Sequence, residues 1–396
     1  MGYEHHFPSV KLDPEFDSKF TRNLVSSVSQ LEELLSSGKE FIAWDTETTG
    51  LNVEKDKIVG FSFTMDGTNA YYVPVSHHTG LSLGLEALSV FVKHLTEFKM
   101  GFLYNMRFDF RFVEWAGYDL SKVKYYDVMA MIWLADTNIG MPSLKGSVLQ
   151  FLGWKMQTFE EVLGETYNAY YLDPENIYKY ACDDALGTWH LGKVSTRFYK
   201  ESGFGGKILN LVEYPIMKFE NNIVQLDKDH FHKLQEETQE KVRSLEQEIM
   251  LDFGYTFALN SGKQLSEALQ SKGFMSNELV KAGYVKTGMA QLKKMNEVYK
   301  DPVFDKIIQY KVLFKSFNSY IRTMSEQVEG RAGLRFSYLL CRVPTTRLAS
   351  GSERKNEFFA KTNIQSMPKA RSKNWYFHDS GEAGPRDVVV EGYRFS

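Results

Sequence analysis

Apolar and polar positions change period along the chain, and the changes divide it. Residues 23–37, NLVSSVSQLEELLSS, place Leu24, Val25, Val28, Leu31, Leu34 and Leu35 at helical spacing, with Gly38 as a stop. The next block, FIAWDTETTG (41–50), is an apolar run ending in Asp45 and Glu47, which predicts a buried strand that presents acids at its C-terminal end. KIVGFSFTM (57–65) and NAYYVPVSH (69–77), separated by the turn Asp66-Gly67-Thr68, predict an antiparallel hairpin. A helix near 85–98, a short strand at MGFLYN (100–105) and a helix over NMRFDFRFVEWAG, ending at Gly117, follow. KYYDVMAMIWLAD (124–136) comes next, then a helical SLKGSVLQFLGW after Pro142. NIYKYACDDALGTWHL (176–191) has apolar or small residues at Ile177, Tyr180, Ala181, Ala185, Leu186 and Trp189, an amphipathic helix. Three meandering strands followed by strands alternating with helices predict an α/β fold, a mixed sheet flanked by helices.

The glycine-rich ESGFGGK (201–207) reads as a linker, and beyond it the period is helical. A long helix over about 228–253 carries the stripe Phe231, Leu234, Thr238, Val242, Leu245 and Ile249 and stops at Gly254. A second, over about 303–328, carries Ile307, Tyr310, Leu313, Phe317, Tyr320, Met324 and Val328. Two such helices are expected to pair antiparallel, with residues 255–302 as a tip.

Composition narrows the function classes. The 396 residues are 43% hydrophobic and 24% charged, ordinary for a soluble protein of two or three domains. No apolar run approaches the roughly 18 residues of a membrane span, and MGYEHHFPSV lacks the apolar core of a signal peptide, so the expected location is the cytoplasm. Two cysteines, Cys182 and Cys341, exclude a disulfide framework and a cysteine zinc site. The net charge of −3 is unevenly placed: residues 331–373 hold ten Lys or Arg against Glu353 and Glu357, which leaves an acidic body elsewhere. An acidic body with a basic, aromatic-spotted stretch suits a metal-dependent enzyme acting on a polyanion.

The candidate chemistry begins at Asp45 and Glu47. Residues two apart on a strand face the same way, and like charges so close call for a cation between them. Hard oxygen ligands suit magnesium or manganese. Asp13-Pro14-Glu15 and Asp173-Pro174-Glu175 repeat the spacing, but their prolines mark turns or helix starts. Asn105 and Asp109 stand four apart in a helix beginning at a strand end, as do Tyr180 and Asp184 on the later helix, so each pair is expected to share a face.

Asp-x-Glu after a strand, Asn-x-x-Phe-Asp about sixty residues later and Tyr-x-x-x-Asp on a late helix resemble, in that order, the tyrosine branch of the DEDD superfamily of 3′-5′ exonucleases. VEYPIMKFENNIVQLD (212–227), LNSGKQLSEAL (259–269), PTTRLAS (344–350) and TNIQSMP (362–368) are similar to the polymerase-opening helix, the thumb tip and two duplex-holding elements of family A DNA polymerases. Thr346 stands where that family has glycine.

The resemblance implies a ribonuclease H-like exonuclease domain over residues 1–200, a linker and opening helix over 201–226, a helical thumb over 227–330 and a partial palm over 331–396. It also implies two magnesium (or manganese) ions. Asp45, Glu47 and Asp184 would hold the first, Asp45 would bridge to the second with Asp109 helping, and Tyr180 would orient the water. Asn105 and Phe108 would seat the terminal nucleotide, while Arg347, Asn363 and Gln365 would hold primer-template DNA. No palm or fingers motif follows, since His378-Asp379-Ser380 comes too early and lacks the glutamate. The expectation is a phage-type polymerase that is split or truncated, with a second chain supplying palm and fingers and with VVVEGYRF (388–395) as an interface strand. A free-standing nuclease of the ribonuclease D kind and a non-catalytic DNA-binding subunit are the competing readings.

Overall fold

The computed structural model describes residues 10–37, 40–139, 142–164, 168–201, 203–274, 280–281, 284–331, 333–345, 347–351, 357–361, 363 and 365. The expected interface strand at 388–395, His378-Asp379-Ser380 and most of the basic stretch past 365 lie outside them. The chain packs as two compact units. The first comprises the described residues of Met1–Asn222 with Tyr338–Ala349 and Arg354–Phe358; the second comprises those of Ile223–Ser337, Ser350–Glu353 and Phe359 onward.

The first unit is built on a six-stranded mixed sheet. Its strands are β1 (Thr21–Leu24), β2 (Phe41–Thr48), β3 (Ile58–Thr64), β4 (Asn69–Pro74), β5 (Met100–Leu103) and β6 (Tyr125–Asp127), in the spatial order β1-β4-β3-β2-β5-β6. β2, β3 and β4 form the antiparallel meander, and β5 returns parallel to β2. The sequence pattern differs from the structure at the first element. Leu24 and Val25 do not continue the helix, because Ser27 caps α1 (Val28–Ser36) by accepting from the Gln30 amide, and Leu24 instead pairs with Tyr72 in a parallel edge strand. An N-cap contributes about 1 kcal/mol to where a helix begins, and leaving the helix costs Val25 no burial, since it stays at zero exposure.

Helices cover the sheet: α2 (Gly84–Leu95), α3 (Met106–Trp115), α4 (Val128–Ala135), α5 (Leu144–Leu152), the short α6 (Phe159–Leu163) and α7 (Pro174–Glu201). On one side Trp44, at zero exposure, stacks on Phe110 and meets Phe91 edge-on. On the other, Ile177, Ala181, Leu186 and Trp189 of α7 pack with Ala43, Val59, Tyr72 and Phe102. The continuous apolar run 124–136 splits into β6 and α4 at Asp127. That fully buried carboxylate accepts from the amides of Met129 and Ala130 as an N-cap, and also from those of Asn105 and Met106.

The glycine-rich 201–207 is not an extended linker. After Gly203, at φ 58°, the chain enters α8 (Phe204–Glu220). α8 is tied to α3 by buried charge. Arg107 meets Glu213 at 2.9 Å and Glu220 at 3.0 Å, and Arg111 reaches the other Glu220 oxygen at 2.5 Å. Arg107 also donates to the Tyr338 carbonyl, while the Tyr338 amide donates to Glu220. Removing one member of such a network costs about 3–5 kcal/mol because it strands the other charges, so the helix that carries Asp109 is held in one place.

In the second unit α9 (Lys228–Phe253) buries Phe231, Leu234, Thr238, Val242, Leu245 and Ile249, the stripe read from the sequence. Its partner helix is interrupted: α12 (Pro302–Ser316) passes through a π turn at Phe317–Ile321 into α13 (Arg322–Val328), and Phe317 is left only half-buried. The Lys306–Asp252 contact at 2.8 Å and the Ser325–Gln235 contact at 2.7 Å fix the pair as antiparallel. Between them lie α10 (Gly262–Ser271), β7 (Val280–Lys281), β8 (Tyr284–Val285) and α11 (Met289–Tyr299); later in the chain, β9 (Ser337–Leu339) and β10 (Ala349–Gly351) each have residues in both units. Among the described residues no helix is long and apolar enough to cross a membrane.

Candidate active site

The acids meet where β2 outruns its parallel neighbour. The β2–β5 ladder ends at Ala43 and Phe102, so the last residues of β2 project into a crevice beyond the carboxyl end of β5. Asp45 and Glu47 share one face of β2, opposite Ser62 and Gly60 of β3. α7 crosses that face and brings Asp184, so one oxygen of each of Asp45, Glu47 and Asp184 lies within 4.8 Å of the others. Glu47 and Asp184 are buried, and Asp45 is half-buried.

Asp109 stands apart from this triad. It is 1% exposed, and its Oδ1 accepts from the Thr46 amide at 2.9 Å and from the Thr46 hydroxyl at 2.7 Å. Thr46 points away from the face of Asp45 and Glu47, so Asp109 approaches β2 along its open edge rather than from above. Asn105 does not share a helical face with it. Asn105 sits in the left-handed region at φ 64°, one residue before α3, and its backbone amide is spent on Asp127. Asparagine tolerates that conformation, which turns the chain sharply from β5 into α3. Phe108 is half-buried, its ring 4.9 Å from that of Phe112.

Tyr180 lies one turn before Asp184 on α7, 7% exposed, with Phe159 packed at 6.1 Å between ring centroids. Its hydroxyl accepts a 2.6 Å hydrogen bond from Lys145 of α5, a residue the sequence reading did not select. Lys145 also stands 3.6 Å from Asp184 Oδ1, a buried oxygen that accepts no hydrogen bond among the described residues. The only local hint of Lys145 is a cation in the first turn of a helix, where the dipole disfavours it.

Electrostatics mark the crevice as short of positive charge. Burial raises the carboxyl of Asp45 well above the usual range, and repulsion from Asp109, Asp184 and Glu47 adds to it. Glu47 is raised to about 8 and Asp109 to about 7, in both cases mainly by burial. Asp184 is raised by burial against the lowering effect of Lys145. Buried carboxylates that repel one another, one of them with an oxygen lacking a donor, fit a divalent cation, and an all-oxygen donor set suits a hard one.

A pH dependence follows with a definite sign. An acid raised by folding keeps its proton in the native state where the unfolded chain has lost it, so stability falls as pH rises through the window from about 4 to about 8. The chelator-treated protein is expected to lose melting temperature between pH 5 and pH 8, and magnesium is expected to restore more at pH 8 than at pH 5. Scanning calorimetry with and without magnesium measures both; a metal effect independent of pH would contradict the cluster.

Of the residues expected to meet duplex DNA, Arg347 is exposed, and Asn363 and Gln365 are brought together by Ser350 of the TRLAS segment. The Ser350 amide donates to Gln365 at 2.8 Å and its hydroxyl bonds Asn363, while the Gln365 amide donates back to the Ser350 hydroxyl at 3.1 Å. The two motifs, which lie apart in sequence, thus form one local structure.

This sheet order, with carboxylates from β2 and α7 converging beside a Tyr-x-x-x-Asp helix, defines a ribonuclease H-like exonuclease domain. Residues 23–194 match the 3′-5′ exonuclease family and residues 228–371 match DNA polymerase family A. DNA polymerase I of Borreliella burgdorferi is 25% identical over 353 residues, covering 87% of this chain and 37% of the relative. That of Pseudomonas aeruginosa is 26% identical over 347 residues, 83% of this chain and 37% of the relative. The fold matches the POL domain of Pol1 from M. smegmatis, in complex with DNA primer-template and dNTP, with a TM-score of 0.70 at 14% identity, over 96% of this chain and 58% of that one. The chain thus carries a 3′-5′ exonuclease domain over residues 23–194, followed over residues 228–371 by a region of DNA polymerase family A. It spans a little over a third of the length of these curated relatives.

Proposed function

We propose that the chain is the proofreading part of a family A DNA polymerase, hydrolysing the 3′-terminal phosphodiester of DNA to release nucleoside monophosphates. The observation that carries this reading is the convergence of Asp45, Glu47 and Asp184 within 4.8 Å, with Tyr180 one turn from Asp184. Two divalent ions, Mg²⁺ or Mn²⁺, when bound would lower the pKa of the attacking water and neutralise charge on the leaving oxygen. Asp45, Glu47 and Asp184 would hold one, and Asp45 with Asp109 the other.

The chain's own residues supply the rest. Tyr180 keeps its proton, because burial and the neighbouring acids push its pKa far up, so its hydroxyl orients water and does not act as a base. Phe108 and Asn105, at the edge of the crevice, would seat the terminal base and sugar. Arg347, Asn363 and Gln365 would meet the backbone of the primer-template duplex.

The test is a 5′-labelled single-stranded oligonucleotide incubated with the purified chain. A ladder of shortened products with magnesium, none with chelator and little with calcium is expected. On primer-template with four nucleotides, the chain is expected to shorten the primer. No shortening with magnesium or manganese would overturn the nuclease reading.

A further inference from the structure

Lys145 stands where its own helix disfavours it. It lies in the first turn of α5 behind the N-cap Ser143, the end of a helix where the dipole disfavours a cation. α5 itself carries no acid, so no partner on the same helix accounts for the lysine. The acids it faces are across the crevice. Its Nζ is 2.6 Å from the Tyr180 hydroxyl oxygen, 3.9 Å from the centroid of that ring and 3.6 Å from Asp184 Oδ1. Its charge also acts on Asp45 and Glu47, favouring the ionised form of each.

An ammonium group has three donors and no acceptor. At 2.6 Å the Tyr180 oxygen must therefore be the acceptor, and its own hydrogen has to be aimed elsewhere. Asp184 Oδ1 beside it accepts no hydrogen bond among the described residues. Lys145 thus fixes the acceptor side of the Tyr180 hydroxyl and leaves its hydrogen to point into the crevice.

We propose that Lys145 is a positioning residue of the exonuclease reaction: by occupying the acceptor side of the Tyr180 hydroxyl, it makes that hydroxyl a donor toward the attacking water. This rests on the exonuclease reading. Without the lysine, Tyr180 can rotate its hydrogen away or accept from the water, and the water loses its fixed orientation. The role has a consequence that a structural prop would not share. A positive charge beside Asp184 opposes a divalent cation on the same carboxylates, so removing it slows cleavage while strengthening metal binding.

The test uses the full chain with Lys145→Met, which keeps the stem and removes the charge, and Lys145→Arg, which keeps the charge, each alone and combined with Tyr180→Phe. In single-turnover cleavage of a short oligothymidylate, Lys145→Met is expected to be roughly ten- to a hundredfold slower, with oligonucleotide affinity in calcium changed less than about threefold. Binding of Mn²⁺ without DNA, followed by electron paramagnetic resonance, is expected to tighten roughly three- to tenfold. Lys145→Met with Tyr180→Phe is expected to be no slower than Tyr180→Phe alone, since both act through one hydroxyl. Lys145→Arg is expected to keep wild-type Mn²⁺ affinity and recover most of the rate. Weaker Mn²⁺ binding in Lys145→Met, additive losses in the double variant, or a wild-type rate in Lys145→Met would each overturn the proposal alone. A wild-type chain that leaves the oligonucleotide intact would overturn the exonuclease reading and this proposal with it.

Discussion

Asp45→Ala and Asp184→Ala are each expected to reduce degradation of single-stranded DNA to below about a thousandth of wild type, because each removes one of the three carboxylates proposed to hold the metal. The expected stability change has the opposite sign. In the metal-free protein these carboxylates are buried against one another, and Asp45 is raised by burial and then by the charges of Asp109, Asp184 and Glu47. Deleting one relieves repulsion, so the chelator-treated variants should melt no lower than wild type at pH 8, while magnesium stabilises them less. Asp109→Ala should behave differently, since Asp109 accepts both the amide and the hydroxyl of Thr46. Its loss leaves a buried amide without an acceptor, a penalty of about 1–3 kcal/mol. Oligonucleotide cleavage and calorimetry on the three variants separate the cases. Near wild-type cleavage by either Asp45→Ala or Asp184→Ala would show that the cluster is not the reaction centre.

Tyr180→Phe is expected to lower the cleavage rate by roughly ten- to a thousandfold with little change in DNA affinity. The substitution keeps the ring and its packing against Phe159, and removes only the oxygen that accepts from Lys145. Burial and the surrounding acids hold the phenol protonated, so what is lost is orientation of the water, not a base. Single-turnover kinetics with calcium-dependent binding as the control measure this. A drop in melting temperature at unchanged turnover would assign Tyr180 to the core instead.

Much of this site was legible in one dimension. An apolar strand ending in Asp45 and Glu47 has only one way to point two carboxylates, because the period of a strand is two. Tyr180 and Asp184, four apart on an amphipathic helix, likewise had to share a face, and the buried stripe of α9 is the stripe its periodicity predicts. These are local consequences of backbone geometry, and tertiary packing had nothing to add to them. The boundaries were less secure where capping competes with periodicity. Ser27 moved the start of α1, and Asp127 cut one apolar run into a strand and a helix.

Tertiary structure alone decided the rest. That Asp109 reaches β2 from its open edge depends on where β5 stops pairing, and the turn before it depends on Asn105 adopting a left-handed conformation rather than joining the helix. Lys145 leaves only a faint trace in the sequence, a cation in a first helical turn, since its partners lie 35 residues and more away on another helix. Periodicity reports which face of an element is buried, and motif order reports which residues have the right chemistry. The meeting of a helix-start lysine with a tyrosine hydroxyl is set by how α5 and α7 pack, and no local propensity encodes it.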